Sequence, residues 1–310
     1  MNIDDIDLGS LFDCVIVGGG PAGLTAAVFL GRYLRKTLVI DAGDGGRNRA
    51  ARGIHGFLGH HEIAPADLRA DGRREAHAVG VEFLEARAER ISRSGDCFEI
   101  ATSKGTARAR RVLLAYGIAD ELPDLERFEE YFGTSIFHCP DCDGYENRGK
   151  CIGVIGQGKS VAGLALELLQ WSDRVTIFTD GEDREMDVEQ ISKLQAQGIA
   201  VLEDPIAELV GEGGKLSAVR LRSGQSFDCE AIFFTLGTRR SCSLAEDAGC
   251  AIVEGKLDIE IGERGETSVE GIWAAGDLVA GSQLVIKASA DGAIAAIAIN
   301  QSLLPPALRV

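Results

Sequence analysis

Residues 13–34, DCVIVGGGPAGLTAAVFLGRYL, constrain the fold more than any other stretch of the chain. Five residues of buried-strand character run into Gly18-Gly19-Gly20-Pro21-Ala22-Gly23, and an Ala- and Leu-rich helix is expected over 24–34. Gly18 permits the tight turn, Gly20 lets backbone approach a pyrophosphate, and Gly23 lets helix and strand pack closely. The helix N-terminus offers unpaired N–H groups and the positive end of a dipole to phosphates. A second strand over 37–40 ends at Asp41, where a carboxylate can accept both ribose hydroxyls of an adenosine. Strand, glycine turn, helix and acid in this order predict a dinucleotide-binding βαβ unit.

The pattern recurs. A strand over 151–155 leads into Gly156-Gln157-Gly158-Lys159-Ser160-Val161, a helix over 162–169, and a strand over 174–178 that ends in Thr179-Asp180-Gly181. Gly156, Gly158, Ser160 and Asp180 are therefore candidates for a second nucleotide site. The fold class that follows is α/β with two Rossmann-like domains, for which 310 residues suffice. Between the repeats, 43–61 reads as a loop in which Arg47 and Asn48 can reach a nucleotide. A helix is expected over 67–80 and a strand over 81–84. A hairpin is expected over 97–102 and 106–111, then a separate buried strand over 112–115. Residues 118–134 turn acidic and irregular, which marks a domain boundary, and Arg239-Arg240 mark the return. Further elements are a helix over 187–197, strands near 199–201, 218–221, 231–235 and 271–275, and an Ala- and Ile-rich helix over 283–302 whose composition predicts burial.

Between the two glycine turns lies His138-Cys139-Pro140-Asp141-Cys142-Asp143-Gly144-Tyr145-Glu146. Two cysteines at this spacing can close and reopen a small disulfide ring and so store two electrons, and such thiols often ionise near neutral pH. Asp141 opposes this, because a negative charge inside the ring raises the thiol pKa values. A zinc site built from His138, Cys139, Cys142 and Cys151 is the rival, but no second Cys-x-x-Cys accompanies it. His55, His60 and His61 lack carboxylates at ligand spacing, so no metal is expected. The net charge of −16, from 32 basic and 48 acidic residues, repels nucleic acid and anionic membranes, so neither is an expected partner. The acidic start of the chain shows no secretory signal and the apolar run 293–299 is too short to span a bilayer, so a cytoplasmic location is expected.

GGGPAG near the start, the Cys-x-x-Cys-Asp-Gly run, the second glycine turn, and Gly271-Ile272-Trp273-Ala274-Ala275-Gly276-Asp277 stand in the order found in low-molecular-weight thioredoxin reductases. Over nearly its whole length the chain resembles that flavoprotein family and its dithiol oxidase offshoots. The resemblance implies FAD in a discontinuous domain, 1–119 plus 241–310, and a second dinucleotide-binding-type domain, 120–240, that carries the cysteine pair. It implies that Asp277 serves the ribityl and phosphate region, and that the last helix, opening at Gln283-Leu284-Val285, aims its N-terminus at the flavin. Cys142 would exchange electrons with the flavin, Cys139 would meet the substrate sulfur, and Asp143, with His138 as a second candidate, would act as acid and base. A homodimer and a thioredoxin-like protein or a small disulfide or dithiol as substrate are implied in the same way.

The chain departs from that pattern in two places. The His-Arg-Arg run that holds the 2′-phosphate of NADPH is replaced by Thr179-Asp180-Gly181, so NADPH is disfavoured and NADH remains possible. Arg184 is the nearby cation that could offset this. The Arg-Gln-Ala that opens the last helix is also absent. The expectation is an FAD-dependent thiol–disulfide oxidoreductase working through Cys139 and Cys142. A dithiol oxidase that passes electrons to oxygen, or a flavin redox sensor without turnover, are the alternatives.

Overall fold

The computed structural model describes residues 6–44, 46–182 and 185–308. The chain forms two compact units. The first takes the residues up to Arg49, Phe57–Ala119 and those from Arg239 onward; the second takes Ala50–Gly56 and Asp120–Thr238.

In chain order the first unit begins with β1 (Leu11–Val17), α1 (Pro21–Arg32), β2 (Thr37–Asp41), α2 (Pro65–Ala78), β3 (Glu82–Glu85), β4 (Ala88–Ser94), β5 (Cys97–Thr102) and β6 (Gly105–Leu114). Then β7 (Ile118–Asp120) brings the chain to the boundary. The second unit continues with α3 (Phe128–Tyr131), β8 (Ile136–Phe137), α4 (Pro140–Asp143), β9 (Ile152–Gly156), α5 (Gly158–Leu168), β10 (Val175–Phe178) and α6 (Val188–Ala196). Five strands follow: β11 (Ala200–Leu202), β12 (Ile206–Glu212), β13 (Lys215–Leu221), β14 (Ser226–Asp228) and β15 (Ala231–Thr235). The chain returns through β16 (Thr238–Arg240), α7 (Leu244–Asp247), β17 (Ile272–Ala274) and α8 (Val285–Ser302).

The first unit's sheet runs β3-β2-β1-β6-β5-β4, with β17 also paired to β6. β3, β2, β1, β6 and β17 are parallel neighbours, and β4 and β5 add an antiparallel flap. Parallel strands bury both faces and so read as continuous apolar runs. In β1 and β2 that run is nearly unbroken, VIV and LVI all being buried. The expected hairpin arm and the separate strand after it are one strand, β6. Its first half pairs with β5 and its second half lies beside β1 and β17, so its apolar pattern changes from alternating to continuous without a break. β4 and β12 were not foreseen, because AERISRS carries few apolar residues and those of IAELVGE do not alternate with polar ones.

α1 and α8 cover one sheet face together, through Ala22, Ala26, Ala27 and Leu30 on one helix and Ala288, Ala295, Ala296 and Ile299 on the other. Small side chains bring the backbones close: a Cβ on Gly292 would stand 2.1 Å from the carbonyl oxygen of Ala22. Burial of α8 is one-sided, contrary to the expectation from its composition. Ile286 and Ile294 remain 43% and 44% exposed, because Ala-rich composition does not say which face a neighbour covers.

The second unit holds a parallel sheet, β11-β10-β9-β15-β8, and a three-stranded antiparallel sheet, β12-β13-β14. Residues 50–56, expected in the first unit, cluster with the second. The carbonyl of Ala50 lies against Gly133, where a Cβ would come within 2.0 Å of it, and Ala50 packs on the Phe128–Tyr131–Phe132 core. The return boundary falls between Thr238 and Arg239, two residues before the expected one.

A methyl group at position 292 must push the two helices apart. Gly292→Ala is expected to destabilise the protein by about 1–3 kcal/mol, as overpacking does, read as a lower midpoint in urea unfolding.

Candidate functional site

In the first unit β1 ends at Val17 and the chain turns through Gly18 at φ +113°, where a Cβ would strike the carbonyl of Ala115 at 2.3 Å. Pro21 opens α1 at its first position, where its fixed φ suits the helix and its missing N–H leaves nothing unsatisfied. Gly23 is pressed so closely on the turn that a Cβ would lie 1.9 Å from the carbonyl oxygen of Gly18. No side chain caps α1, and a Cβ on its N-cap Gly20 would meet nothing within 4 Å. Among the described residues, no side chain therefore competes for the first-turn N–H groups of α1.

Asp41 closes β2 and is 9% exposed. Arg69 donates to its Oδ2 at 3.0 Å and Arg73 lies 3.7 Å from the same oxygen, so α2 balances the buried charge. Gly276 turns at φ +77° into a short 3-10 turn that presents Asp277. Arg47 links the two ends of this region, donating to Asp277 Oδ2 at 3.3 Å and to Gln283 Oε1. Asn48 is half-buried beside it. α8 starts at Val285 with Leu284 as N-cap, and among the described residues no side chain caps its first-turn N–H groups.

In the second unit the corresponding turn is Gly156 at φ +154° and Gly158 at φ +62°, with Ser160 exposed. Here α5 starts at Gly158, four residues before the expected start, so the glycine turn becomes its first turn. Asp180, expected as a ribose acceptor, sits at φ +53° and spends Oδ1 on the N–H of Ile206 at 2.7 Å. Burial raises its pKa above the ordinary value. Arg184 lies outside the described residues.

The cysteine stretch folds as the single turn α4. Cys139 is its N-cap and its Sγ accepts the N–H of Cys142 at 3.1 Å, while Cys139 and Cys142 are joined in a disulfide. Gly144 is required at the end of the turn, since a Cβ there would press on the Trp171 ring at 2.7 Å. Asn147, fully buried, donates to the carbonyl of Asp143 and fixes the turn from below. His138 packs against the rings of Phe132 and Phe234.

The imidazole that meets Asp143 is instead His55. Its Nδ1 lies 3.1 Å from the carbonyl oxygen of Cys142, 3.8 Å from Asp143 Oδ1 and 3.7 Å from Glu146 Oε2. Burial pushes the Asp143 carboxyl up to about 7; His55 pulls it down and Glu146 pushes it further up. Sequence reading considered His55 only as a metal ligand. A sequence separation of 87 between His55 and Cys142 leaves no local signal of their contact.

The family model for pyridine nucleotide-disulphide oxidoreductases matches residues 12–292. The chain belongs to this family. Among its relatives, the thioredoxin reductase of Treponema pallidum is 31% identical over 92% of this chain and 95% of its own length. A putative thioredoxin reductase of Bacillus anthracis superposes with a TM-score of 0.87 at 31% identity, covering 94% of this chain and 98% of that one. An oxidoreductase of Agrobacterium tumefaciens gives 0.85 at 36% identity, covering 96% and 100%. The protein is thus a thioredoxin reductase-like, FAD-dependent thiol–disulfide oxidoreductase of low molecular weight. The family uses FAD and a nicotinamide nucleotide. The first unit fits such a group: open space at Gly20, uncapped first turns in α1 and α8, and a buried carboxylate at Asp41 are what a dinucleotide phosphate and ribose require.

Asp143 holds its proton to about pH 7 in the folded chain, against about 4 when unfolded. Its contribution is therefore complete below about pH 4 and is lost as the pH rises through 7. Asp143→Asn, which cannot ionise, is expected to be about 4 kcal/mol more stable than the parent at pH 8, and to match it closely at pH 4. Urea unfolding at the two pH values measures the difference.

Proposed function

We propose that the protein passes two electrons from NADH, in preference to NADPH, to the Cys139–Cys142 disulfide and on to the disulfide of a thioredoxin-like protein or a small molecule. The observation that carries this reading is the closed Cys139–Cys142 bridge in a one-turn helix, with a proton-bearing carboxyl next in sequence. Bound FAD supplies two-electron exchange between the nicotinamide and the cysteine pair. Gly18, Gly20, Pro21, Ala22 and Gly23 receive its pyrophosphate, and Asp41 its adenosine ribose. Arg47, Asn48, Gly276, Asp277 and the α8 start at Gln283, Leu284 and Val285 hold the remainder. Gly156, Gly158 and Ser160 form the nicotinamide nucleotide turn.

Once the bridge is open, the Cys139 thiolate attacks one sulfur of the substrate disulfide. The substrate S–S bond breaks, and the departing thiolate takes the proton of Asp143. Cys142 then attacks the Cys139 sulfur of the mixed disulfide, which restores the bridge and releases the second substrate thiol. The Cys142 N–H directed at Cys139 Sγ favours charge on that sulfur, consistent with Cys139 as the attacking thiol. The preference for NADH rests on the acidic end of β10: Glu182 and Asp124 act on Asp180 there, with Arg222 as the opposing cation. Negative charge repels a 2′-phosphate. The exposed Ile286 and Ile294 of α8 support a homodimer joined along that helix.

Anaerobic addition of NADH should raise the thiols titrated after denaturation from the six free cysteines to all eight. NADPH should do so about tenfold more slowly or less. Cys139→Ser and Cys142→Ser should remain unable to turn over a disulfide substrate. A parent protein that gains no thiols from either nucleotide, yet oxidises added dithiol in air, would overturn the direction.

A further inference from the structure

His55 lies on neither glycine turn, and the proposed reaction assigns it no part. It belongs to Ala50–Gly56, a segment from before residue 120 that clusters with the second unit. One ring nitrogen, Nδ1, faces three oxygens: the Cys142 carbonyl, Asp143 Oδ1 and Glu146 Oε2. A carbonyl oxygen and an ionised carboxylate can only accept, and the carbonyl is the nearest at 3.1 Å. Nδ1 must therefore carry a proton, whatever the charge of the ring. The side chains of His55 and Asp143 are 19% and 18% exposed, and that of Glu146 is 40% exposed. The contact is thus shielded enough for charge to matter.

We propose that His55 is a positioning residue for the thiol–disulfide step. Its Nδ1–H ties down the carbonyl of Cys142, and its ring holds the Asp143 carboxyl in place and balances the charge that appears when Asp143 gives up its proton. The inference rests on the proposed role of Asp143 as the acid for the cysteine pair. In that step Asp143 passes one proton to a departing thiolate and becomes a carboxylate, with no change in electron count. The imidazole faces the new carboxylate, while Glu146 opposes it. His55 and Glu146 are the charged groups that act on Asp143, one from each side of the balance. A purely structural histidine would hold the turn but would have no reason to face two carboxylates through the nitrogen that binds the backbone.

The test follows the protonated-carboxyl infrared band that Asp143→Asn abolishes, recorded against pH in the FAD-loaded protein. In the parent the band should disappear with a midpoint near 7. In His55→Asn, whose amide can still donate to the Cys142 carbonyl, the midpoint should move up by about half a pH unit or more. In Glu146→Gln it should move down. Opposite shifts, with flavin content and unfolding midpoints of the variants close to the parent's, support the proposal. An unmoved midpoint in His55→Asn, or a shift of the same sign in both variants, overturns it. If Asp143→Asn reduces disulfide substrates as fast as the parent, the reading of Asp143 as the acid fails instead, and the infrared midpoints still report on His55 separately.

Discussion

The first unit depends on how closely backbone can approach backbone around α1. On one side Gly23 lies against the carbonyl of Gly18, and on the other Gly292 of α8 lies against the carbonyl of Ala22. Neither position can hold a side chain. α1 is thereby clamped between the strand turn and the last helix, with alanines filling the remaining gap. The clamp fixes where the uncapped first turn of α1 points, and Asp41 then needs only the adjacent parallel strand to stand beside it. A phosphate-binding turn built this way owes its precision to the absence of atoms, which is why glycine recurs where charge might have been expected.

Such a constraint is legible in sequence because glycine leaves a mark wherever it is sterically required. Gly18, Gly23 and the Asp41 strand end could be placed from the chain alone, as could the Cys139–Cys142 turn, because each depends on residues within about one βαβ unit. The missed features have the opposite character. β6 was divided at Arg111 because its two halves pair with different partners, one exposed on a face and one buried on both. β12 is held by β13 and lacks the alternating apolar pattern of a strand. Residues 50–56 could not be assigned to the second unit, because what holds Ala50 is Gly133, more than eighty residues away.

Asp180 shows a different limit. Sequence position made it a ribose acceptor, and it does stand at the end of the corresponding strand, yet its left-handed backbone turns the carboxylate to cap the N–H of Ile206. An aspartate tolerates that conformation because its short side chain can bond locally. Position along a strand identifies which residue is near a site; the φ angle decides what its side chain does there. The discrimination against a 2′-phosphate does not require Asp180 to touch the ribose, since charge acts across the distance and Glu182 and Asp124 contribute the same sign.

The cysteine turn raises a question of charge balance that its own nine residues do not resolve. Asp141, Asp143 and Glu146 all lie within seven positions, so the stretch is rich in groups that oppose thiolate formation. A lysine or arginine in the turn would reverse this permanently and would hold Asp143 as a carboxylate, unable to supply a proton. A single imidazole from residues 50–56 can answer at most one carboxylate. Glu146 is the more open to water of the two, and Asp143, more enclosed, keeps its proton up to about pH 7. The acid beside the disulfide is therefore poised by an inequality of burial between two carboxyl groups that share one histidine, and that histidine comes from residues 50–56, which belong to the second unit although the chain on either side of them belongs to the first.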